Sequence, residues 1–197
     1  MSKMKRNYFK ITGLYQSHSE IKQDFVEWLA ITLSTNDGDM TVHVPGLDTG
    51  YEQLPKIEDI NSWSKGQAVT VSGHIFLLSE EHIQLVVTDI TDAENDKESH
   101  IAEYGVYAKL IHKKLNLNED EPWIEVQTLF CQHEWNAPPH KLVNDEEGNM
   151  IVFGSKLKPE CFESGINIMD DVLMKGHLVR RASDNKLCLD EHSGQRA

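Results

Sequence analysis

The stretch that decides the fold lies at residues 69–77 and reads VTVSGHIFL. Apolar Val69, Val71 and Ile75 share one side of this pattern, and polar residues fill most positions between them. Alternation at every second position is typical of a β-strand with one buried and one exposed face. The residues SEE at 79–81 and the apolar run IQLVV at 83–87 then predict a turn and an antiparallel partner strand.

The rest of the first half also favours strands. Three more are predicted at residues 8–15, 26–33 and 40–44. Residues 36–39, NDGD, predict a hairpin turn because Asn, Asp and Gly tolerate positive φ. Gly13 is expected to mark a bend or bulge. Apolar residues at every third position of 51–63 predict a short helix before the fourth strand.

The second half repeats this order. Residues 172–178, VLMKGHL, match residues 69–75, with the Gly-His pairs in register. Further matches pair residues 187–189 with 83–85, 105–107 with 13–15, Trp123 with Trp28, and 144–150 with 36–40. Matches in the same order predict an ancient internal duplication. We therefore expect two units, residues 1–90 and 101–197, joined by an acidic linker at 91–100.

Five strands with a helix between the third and fourth is the order of the OB-fold, a small Greek-key barrel. The Val-x-Val-x-Gly-His-Ile segment at 69–75 resembles the fourth strand of the OB-folds in replication protein A-type single-strand binders. The resemblance implies an all-β chain of two five-stranded OB-like Greek-key barrels, each with a short helix between strands 3 and 4. It also implies a non-enzymatic protein that binds single-stranded nucleic acid, DNA above all, in replication, repair or transfer of a genetic element.

By this resemblance, a ligand lies on the second and third strands of each barrel, between the first and last hairpin loops. The strands concerned are residues 26–33, 40–44, 123–130 and 150–153. The loops concerned are residues 16–23, 79–82, 112–121 and 182–185.

Two tryptophans are candidates for this surface. Trp28 and Trp123 fall on the less apolar faces of their strands, at equivalent positions in the two units. A base stacked on an aromatic ring contributes roughly 1–3 kcal/mol. The alternative is that each tryptophan closes the end of a barrel as part of the core.

Basic residues gather in the second unit and are candidates for contacts with phosphate. These are Lys109, Lys113, Lys114, Lys175, His177, Arg180, Arg181 and Lys186. Glu80 and Glu81, at the last hairpin of the first unit, would repel phosphate instead. We therefore predict nucleic-acid contacts in the second unit and a protein partner for the acidic first unit. The alternative is that these cations are scattered surface charges.

The net charge of −13 bears on the choice of partner. It disfavours indiscriminate binding to phosphate backbones, which needs clustered cations. A local basic groove on an acidic body remains compatible with it. The charge also supports a second hypothesis, an acidic protein-interaction scaffold or a DNA-mimicking inhibitor of a DNA-binding partner.

Metal and catalytic chemistry find little support in the sequence. Cys131, His133, His140 and Cys161 are possible zinc ligands, but their spacing matches no compact zinc module. No phosphate loop, nucleophile elbow or metalloprotease motif occurs, so we predict neither a cofactor nor an enzyme. Three cysteines, no apolar leader and no long apolar run predict a cytoplasmic chain with reduced thiols and no membrane association.

Overall fold

The computed structural model describes residues 7–23, 26–45, 60–79, 82–117, 121–132, 141–142 and 150–197. Within these ranges the chain is all-β. Its strands are β1 (Tyr8–Gln23), β2 (Val26–Thr35), β3 (Gly38–Pro45), β4 (Ala68–Ser79), β5 (His82–Asp92), β6 (Ala102–Asn116), β7 (Trp123–Gln132), β8 (Lys141–Leu142), β9 (Val152–Leu157), β10 (Asp171–Arg180) and β11 (Leu187–Arg196). Among these residues, no helix has the length and apolar character needed to cross a membrane.

Strands β1 to β5 form a closed barrel. Each neighbouring pair is antiparallel except β3 and β5, which meet in parallel where His43 lies opposite Val86. The resulting order β1-β2-β3-β5-β4-β1 is that of an OB-type Greek-key barrel. Val69, Val71 and Ile75 are buried inside it, as their alternation predicts. Burying each such side chain contributes about 1.5–3 kcal/mol, and this fixes the register of the strands.

Strands of the second half pair in the order β9-β7-β6-β10-β11. This is the order of β3-β2-β1-β4-β5 in the first half. Between β9 and β11, the hydroxyl of Ser155 contacts the carboxylate of Glu191. A 3-10 turn at Pro159–Cys161 lies between β9 and β10, where the sequence predicts a short helix.

The two halves join along a seam, which we define as the pairing of β1 with β6. Tyr8 lies opposite Gly105 in this antiparallel pair, so the sheet continues from one half into the other. Buried Asn7 fastens the start of β1 to the second half. Its side-chain nitrogen donates to the carbonyl of Cys131 at 2.8 Å, and its side-chain oxygen accepts from the amide of Tyr107 at 2.8 Å.

Irregularities fall at equivalent places in the two halves. A bulge at Gln16 interrupts the β1–β2 register, and a bulge at Ile111 interrupts the β6–β7 register. Beyond these bulges, Ile21 lies opposite Trp28 and Asn116 lies opposite Trp123. Two further bulges, in the β4–β5 and β10–β11 hairpins, fall at the two glycines of the Gly-His pairs.

Several sequence predictions need correction. Residues 16–23 and 112–116, predicted as loops, are the second halves of β1 and β6. The bulge predicted at Gly13 occurs instead at Gln16. The match of residues 105–107 with 13–15 is three positions out of register, because Gly13 lies opposite Val69 whereas Ala108 lies opposite Val172.

The predicted strand at 150–153 also lies too early, since β9 spans Val152–Leu157. β5 extends to Asp92, within the segment predicted as the linker. Most of the predicted helix at 51–63, the turn at 144–149, and Glu80 and Glu81 lie outside the described residues.

Candidate functional site

One candidate surface is the outer face of β6, β7 and β9, which we call the Trp123 face. Strand alternation puts Trp123 and Glu125 outward, because Ile124 and Val126 are buried in the barrel. Glu125 lies between two cations, with Lys114 opposite it on β6 and Lys156 opposite it on β9. An acidic residue at the centre is therefore flanked by positive charge on both sides.

Trp123 lines a cleft of about 550 Å³ at the end of this face. The ammonium of Lys156 lies 4.2 Å from the centre of the half-buried indole ring, a cation–π contact. The lining residues are Glu121, Pro122, Trp123, Lys156, Leu157, Lys158 and Glu160. The cleft thus combines an aromatic ring with cations, but two glutamates balance the two lysines.

The corresponding face of the first half carries Trp28. This residue is half-buried and lies between Ile21 on β1 and Pro45 on β3. The rest of the face is mostly small or uncharged, with Ala30 opposite His43. Among the described residues of β2 and β3 it presents no lysine or arginine. The two tryptophans therefore occupy equivalent positions on faces of different charge.

A second cleft, of about 400 Å³, lies where β1, β6, β10 and β11 meet. We call it the seam cleft. It includes Lys175 and His177, two residues that the sequence singles out. Lys175 donates from its ammonium to the side-chain oxygen of Gln195 at 3.1 Å. The rings of His177 and His192 lie 4.7 Å apart, and His177 Nδ1 is 3.9 Å from a carboxylate oxygen of Asp37.

Arg180, Arg181 and Lys186 lie at the β10–β11 hairpin, away from both clefts' linings. Arg180 Nε donates to the carbonyl of Asp39 at 2.8 Å, and the Arg180 amide donates to the carbonyl of Asp37 at 3.1 Å. Arg180 thus binds the β2–β3 turn of the first half. Arg181 pairs with Asp184 through two contacts of 2.9 and 2.5 Å, and this hydrogen bonding holds the pKa of Asp184 down at about 2.

The three lysines of β6 that the sequence singles out also have different partners. Lys109 forms an ion pair of 2.6 Å with Asp171, which raises the pKa of Lys109. Lys113 donates to the carbonyl of Ile166 at 2.5 Å, in the loop before β10. Of the three, Lys114 is the one that lies opposite Glu125 on the Trp123 face. The predicted basic residues are therefore divided among several places rather than lining one groove.

The possible zinc ligands are only partly described, because His133 and His140 lie outside the described residues. Cys131 is buried, and this burial raises the pKa of its thiol to about 11. A thiol held in the protonated form is a poor metal ligand, since the thiolate is the binding species. Among the described residues, no group of histidine, cysteine and acidic side chains has the geometry of a metal site.

Sequence reasoning missed Lys156 and Lys158 of the Trp123 face, and Tyr8 and Lys10 of the seam cleft. Lys156 and Lys158 follow the strand predicted at 150–153, so the early placement of β9 hid them. The alternation in β1 does put Tyr8 and Lys10 outward. Only the pairing of β1 with β6, which no local pattern indicates, brings them beside Lys175.

Comparison with known proteins gives a fold relationship. No protein-family model and no curated protein sequence matches the chain. Among solved structures, the single-stranded DNA binding protein from Thermus aquaticus is similar with a TM-score of 0.55 and 14% identity, over 97% of this chain and 92% of that one. The alignment with the Ifi202 HINa domain in complex with 20-bp double-stranded DNA covers 95% of this chain and 96% of that one at 12% identity. Its TM-score of 0.30 is too low to indicate a shared fold. The chain therefore shares the fold of an OB-fold single-strand binder across nearly its whole length.

Proposed function

We propose that this chain is a non-enzymatic protein of two OB-type units that binds single-stranded nucleic acid, with DNA favoured. The Trp123 face of the second unit is the principal contact surface. The observation that carries the proposal is the tryptophan on the outer face of the second strand in each half. Trp28 and Trp123 have the same place relative to the preceding bulge, and both are half-buried.

The duplication that underlies this proposal is supported by more than strand order. Gly73 and Gly176 approach the facing strand in the same way, since a Cβ at either position would come within 1.9 Å of a backbone oxygen. Paired bulges at Gln16 and Ile111 add a second, independent correspondence. Equivalent irregularities in two halves are expected of a duplicated unit, because bulges are specific features of a fold rather than defects.

Lysines beside the tryptophan distinguish the second unit from the first, although acidic residues balance their charge. Lys114, Lys156 and Lys158 lie on or beside the Trp123 face, whereas the described part of the Trp28 face lacks such cations. Single-strand binders combine an aromatic stacking platform with cations that follow the phosphates. The similar fold of the single-stranded DNA binding protein from Thermus aquaticus supports DNA as the first ligand to test.

A titration of a fluorescent dT oligomer, followed by anisotropy, tests the proposal. At about 50 mM salt, where phosphate contacts are strongest, we expect binding that weakens as salt is raised. Trp123→Ala should reduce affinity at least about fivefold, given the roughly 1–3 kcal/mol of one base–aromatic contact. Trp28→Ala is the matched control and should have a smaller effect. No binding at low salt, or equal effects of the two variants, would contradict the proposal.

The pairing of several cations gives some support to a second function, an acidic protein-interaction scaffold or DNA mimic. Lys109 and Arg181 are neutralised by Asp171 and Asp184, so they add little to a positive surface. The same titration decides between the two functions. An acidic mimic has no affinity for the oligomer at low salt, because like charges repel most strongly there.

A further inference from the structure

The seam cleft brings together an exposed tyrosine and two lysines that do not belong to the Trp123 face. Its lining comes from both halves of the chain: Tyr8, Lys10, Glu103, Tyr104, Lys175, Gly176, His177, His192 and Ser193. Two lysines face one glutamate in this lining, with both histidines taken as neutral. This positive balance occurs in a chain with a net charge of −13, so it departs from the general character of the surface.

Tyr8 is an exposed aromatic residue in a fixed position. Its side chain is 38% exposed, and its ring lies against Gly105. A Cβ at residue 105 would come within 2.4 Å of this ring, so the close approach depends on glycine. Pairing of β1 with β6 holds Tyr8 opposite Gly105. An aromatic ring seated in this way is a platform on which a base can stack.

Lys10 and Lys175 lie on either side of β6. Lys10 is opposite Glu103 on β6, and Lys175 is opposite Gly105. Glu103 therefore has a cation beside it on β1. Among the described residues, the hydrogen bond of Lys175 is a neutral one to Gln195. An ammonium has three donors, so Lys175 keeps donors for a further acceptor. Asp37 and Asp190 interact with the two histidines and not with the lysines.

The outer face of β6 connects the two clefts. Glu103, Gly105 and Lys109 alternate outward along its first part, since Tyr104 and Ala108 are buried. After the bulge at Ile111, the outward positions include Lys114 on the Trp123 face. One strand thus runs from the seam cleft to the principal surface.

We propose that the seam cleft is a second contact site for single-stranded nucleic acid, with Tyr8 stacking a base and Lys10 and Lys175 binding phosphate. This inference rests on the proposed function. A strand long enough to extend from the Trp123 face along β6 engages both sites, so the two halves act together on one ligand. Shorter strands bind at the Trp123 face alone.

Binding of oligomers of different length tests whether the seam cleft is a site distinct from the Trp123 face. We compare dT oligomers of about 8 nucleotides, within the site size of a single barrel, and about 24 nucleotides. Lys10→Gln and Lys175→Gln should each weaken the long oligomer several-fold and leave the short one unchanged. Each should also reduce the slope of log K against log salt by about 0.7, the value for one phosphate contact on a single strand. Lys65→Gln, at an exposed position before β4, is the control for loss of one charge.

Tyr8→Ala tests the stacking contact and should weaken only the long oligomer. Gly105→Ala displaces the Tyr8 ring without removing it and should do the same. If the wild-type chain binds the long oligomer and every seam variant matches Lys65→Gln, the seam site is wrong while the proposed function stands. If the seam variants weaken both oligomers as Trp123→Ala does, the two sites are not separate and the inference fails. If the wild-type chain binds neither oligomer, both proposals fail.

Discussion

At the scale of single residues, Glu191 is a carboxylic acid whose pKa is strongly altered by its surroundings. Its carboxylate contacts Ser155 across the side of the second half where β9 faces β11. Burial raises its pKa from 4.5 to about 7, and nearby Asp190 adds repulsion. The hydroxyl of buried Tyr104, which has no hydrogen-bond partner among the described residues, has its own pKa raised by burial and by these two carboxylates. An ionised Glu191 is therefore unfavourable in the folded chain.

This raised pKa predicts a pH-dependent stability. Between about pH 4.5 and 7 the folded chain retains a proton that the unfolded chain releases, so this group's contribution to the free energy of unfolding falls as pH rises. Glu191→Gln should remove that decline and stabilise the chain at pH 8 by roughly 3 kcal/mol, at about 1.4 kcal/mol per pKa unit. Urea unfolding of both proteins from pH 4 to 8 measures the difference.

Asp190→Asn is the matched comparison for Glu191→Gln. It removes only the repulsion from the neighbour and leaves the burial, which is the larger cause of the raised pKa. We therefore expect a smaller gain at pH 8 than for Glu191→Gln. Parallel pH profiles of the wild-type chain and Glu191→Gln would show that Glu191 ionises normally in the folded state.

At the scale of strands and hairpins, the Gly-His pairs mark the same local structure, a bulge with a close backbone approach, in both halves. Opposite the glycines of β4 and β10, the facing strands β5 and β11 each carry one extra residue, and their backbone comes so close that only a hydrogen atom fits at the glycine. The nearest backbone oxygens are those of Val86 and Asp190. Such a bulge increases the local twist, which helps a sheet to curve into a barrel.

Alanine at these glycines should therefore be strongly destabilising. Gly73→Ala and Gly176→Ala place a Cβ within 1.9 Å of a backbone oxygen, so the hairpin must shift. We expect losses of at least about 2–3 kcal/mol, the upper part of the range for single substitutions. Gly154→Ala on β9 is the control, because a Cβ there meets nothing within 4 Å. Thermal unfolding compares the three, and an equal tolerance of all of them would refute the role of the bulges.

These hairpins also show what the sequence can predict. Alternation of apolar and polar residues identifies β2, β4 and β7 well, because each of these strands buries one face and exposes the other. Beyond the bulge at Gln16, residues 17–21 of β1 are all exposed, and beyond the bulge at Ile111, residues 113–115 of β6 are all exposed. A run of exposed residues without alternation resembles the end of a strand, so the second halves of these strands are misread as loops.

The candidate site is less predictable than the strands for a different reason. Trp28 and Trp123 are found because each lies within one regular strand. The partners of Arg180, Arg181 and Lys109 depend on loops and on strand pairing distant in sequence. A cation that the sequence presents as available to phosphate is thus already bound by a carbonyl or a carboxylate.

At the scale of the whole molecule, the two halves are joined by more than the connecting segment. β1 pairs with β6, Asn7 binds backbone groups of the second half, and Arg180 reaches back to the β2–β3 turn. Gly38 in that turn, with φ of 107°, packs against the Arg180 side chain. These contacts lie on both sides of the seam cleft, so they fix the relative position of the strands that line it.

Arg180 therefore has a predicted role in holding the halves together rather than in binding phosphate. Arg180→Ala removes a charged hydrogen bond to the Asp39 carbonyl, and we expect a loss of about 1.5–3 kcal/mol in the free energy of unfolding. Hydrogen exchange should accelerate at amides of the β2–β3 turn. Arg181→Ala is the matched control, because its partner Asp184 lies in the same exposed hairpin and such pairs contribute about 0–1 kcal/mol. If both variants change stability and exchange equally, Arg180 does not clamp the two halves, and the geometry of the seam must depend on β1–β6 pairing and Asn7 alone.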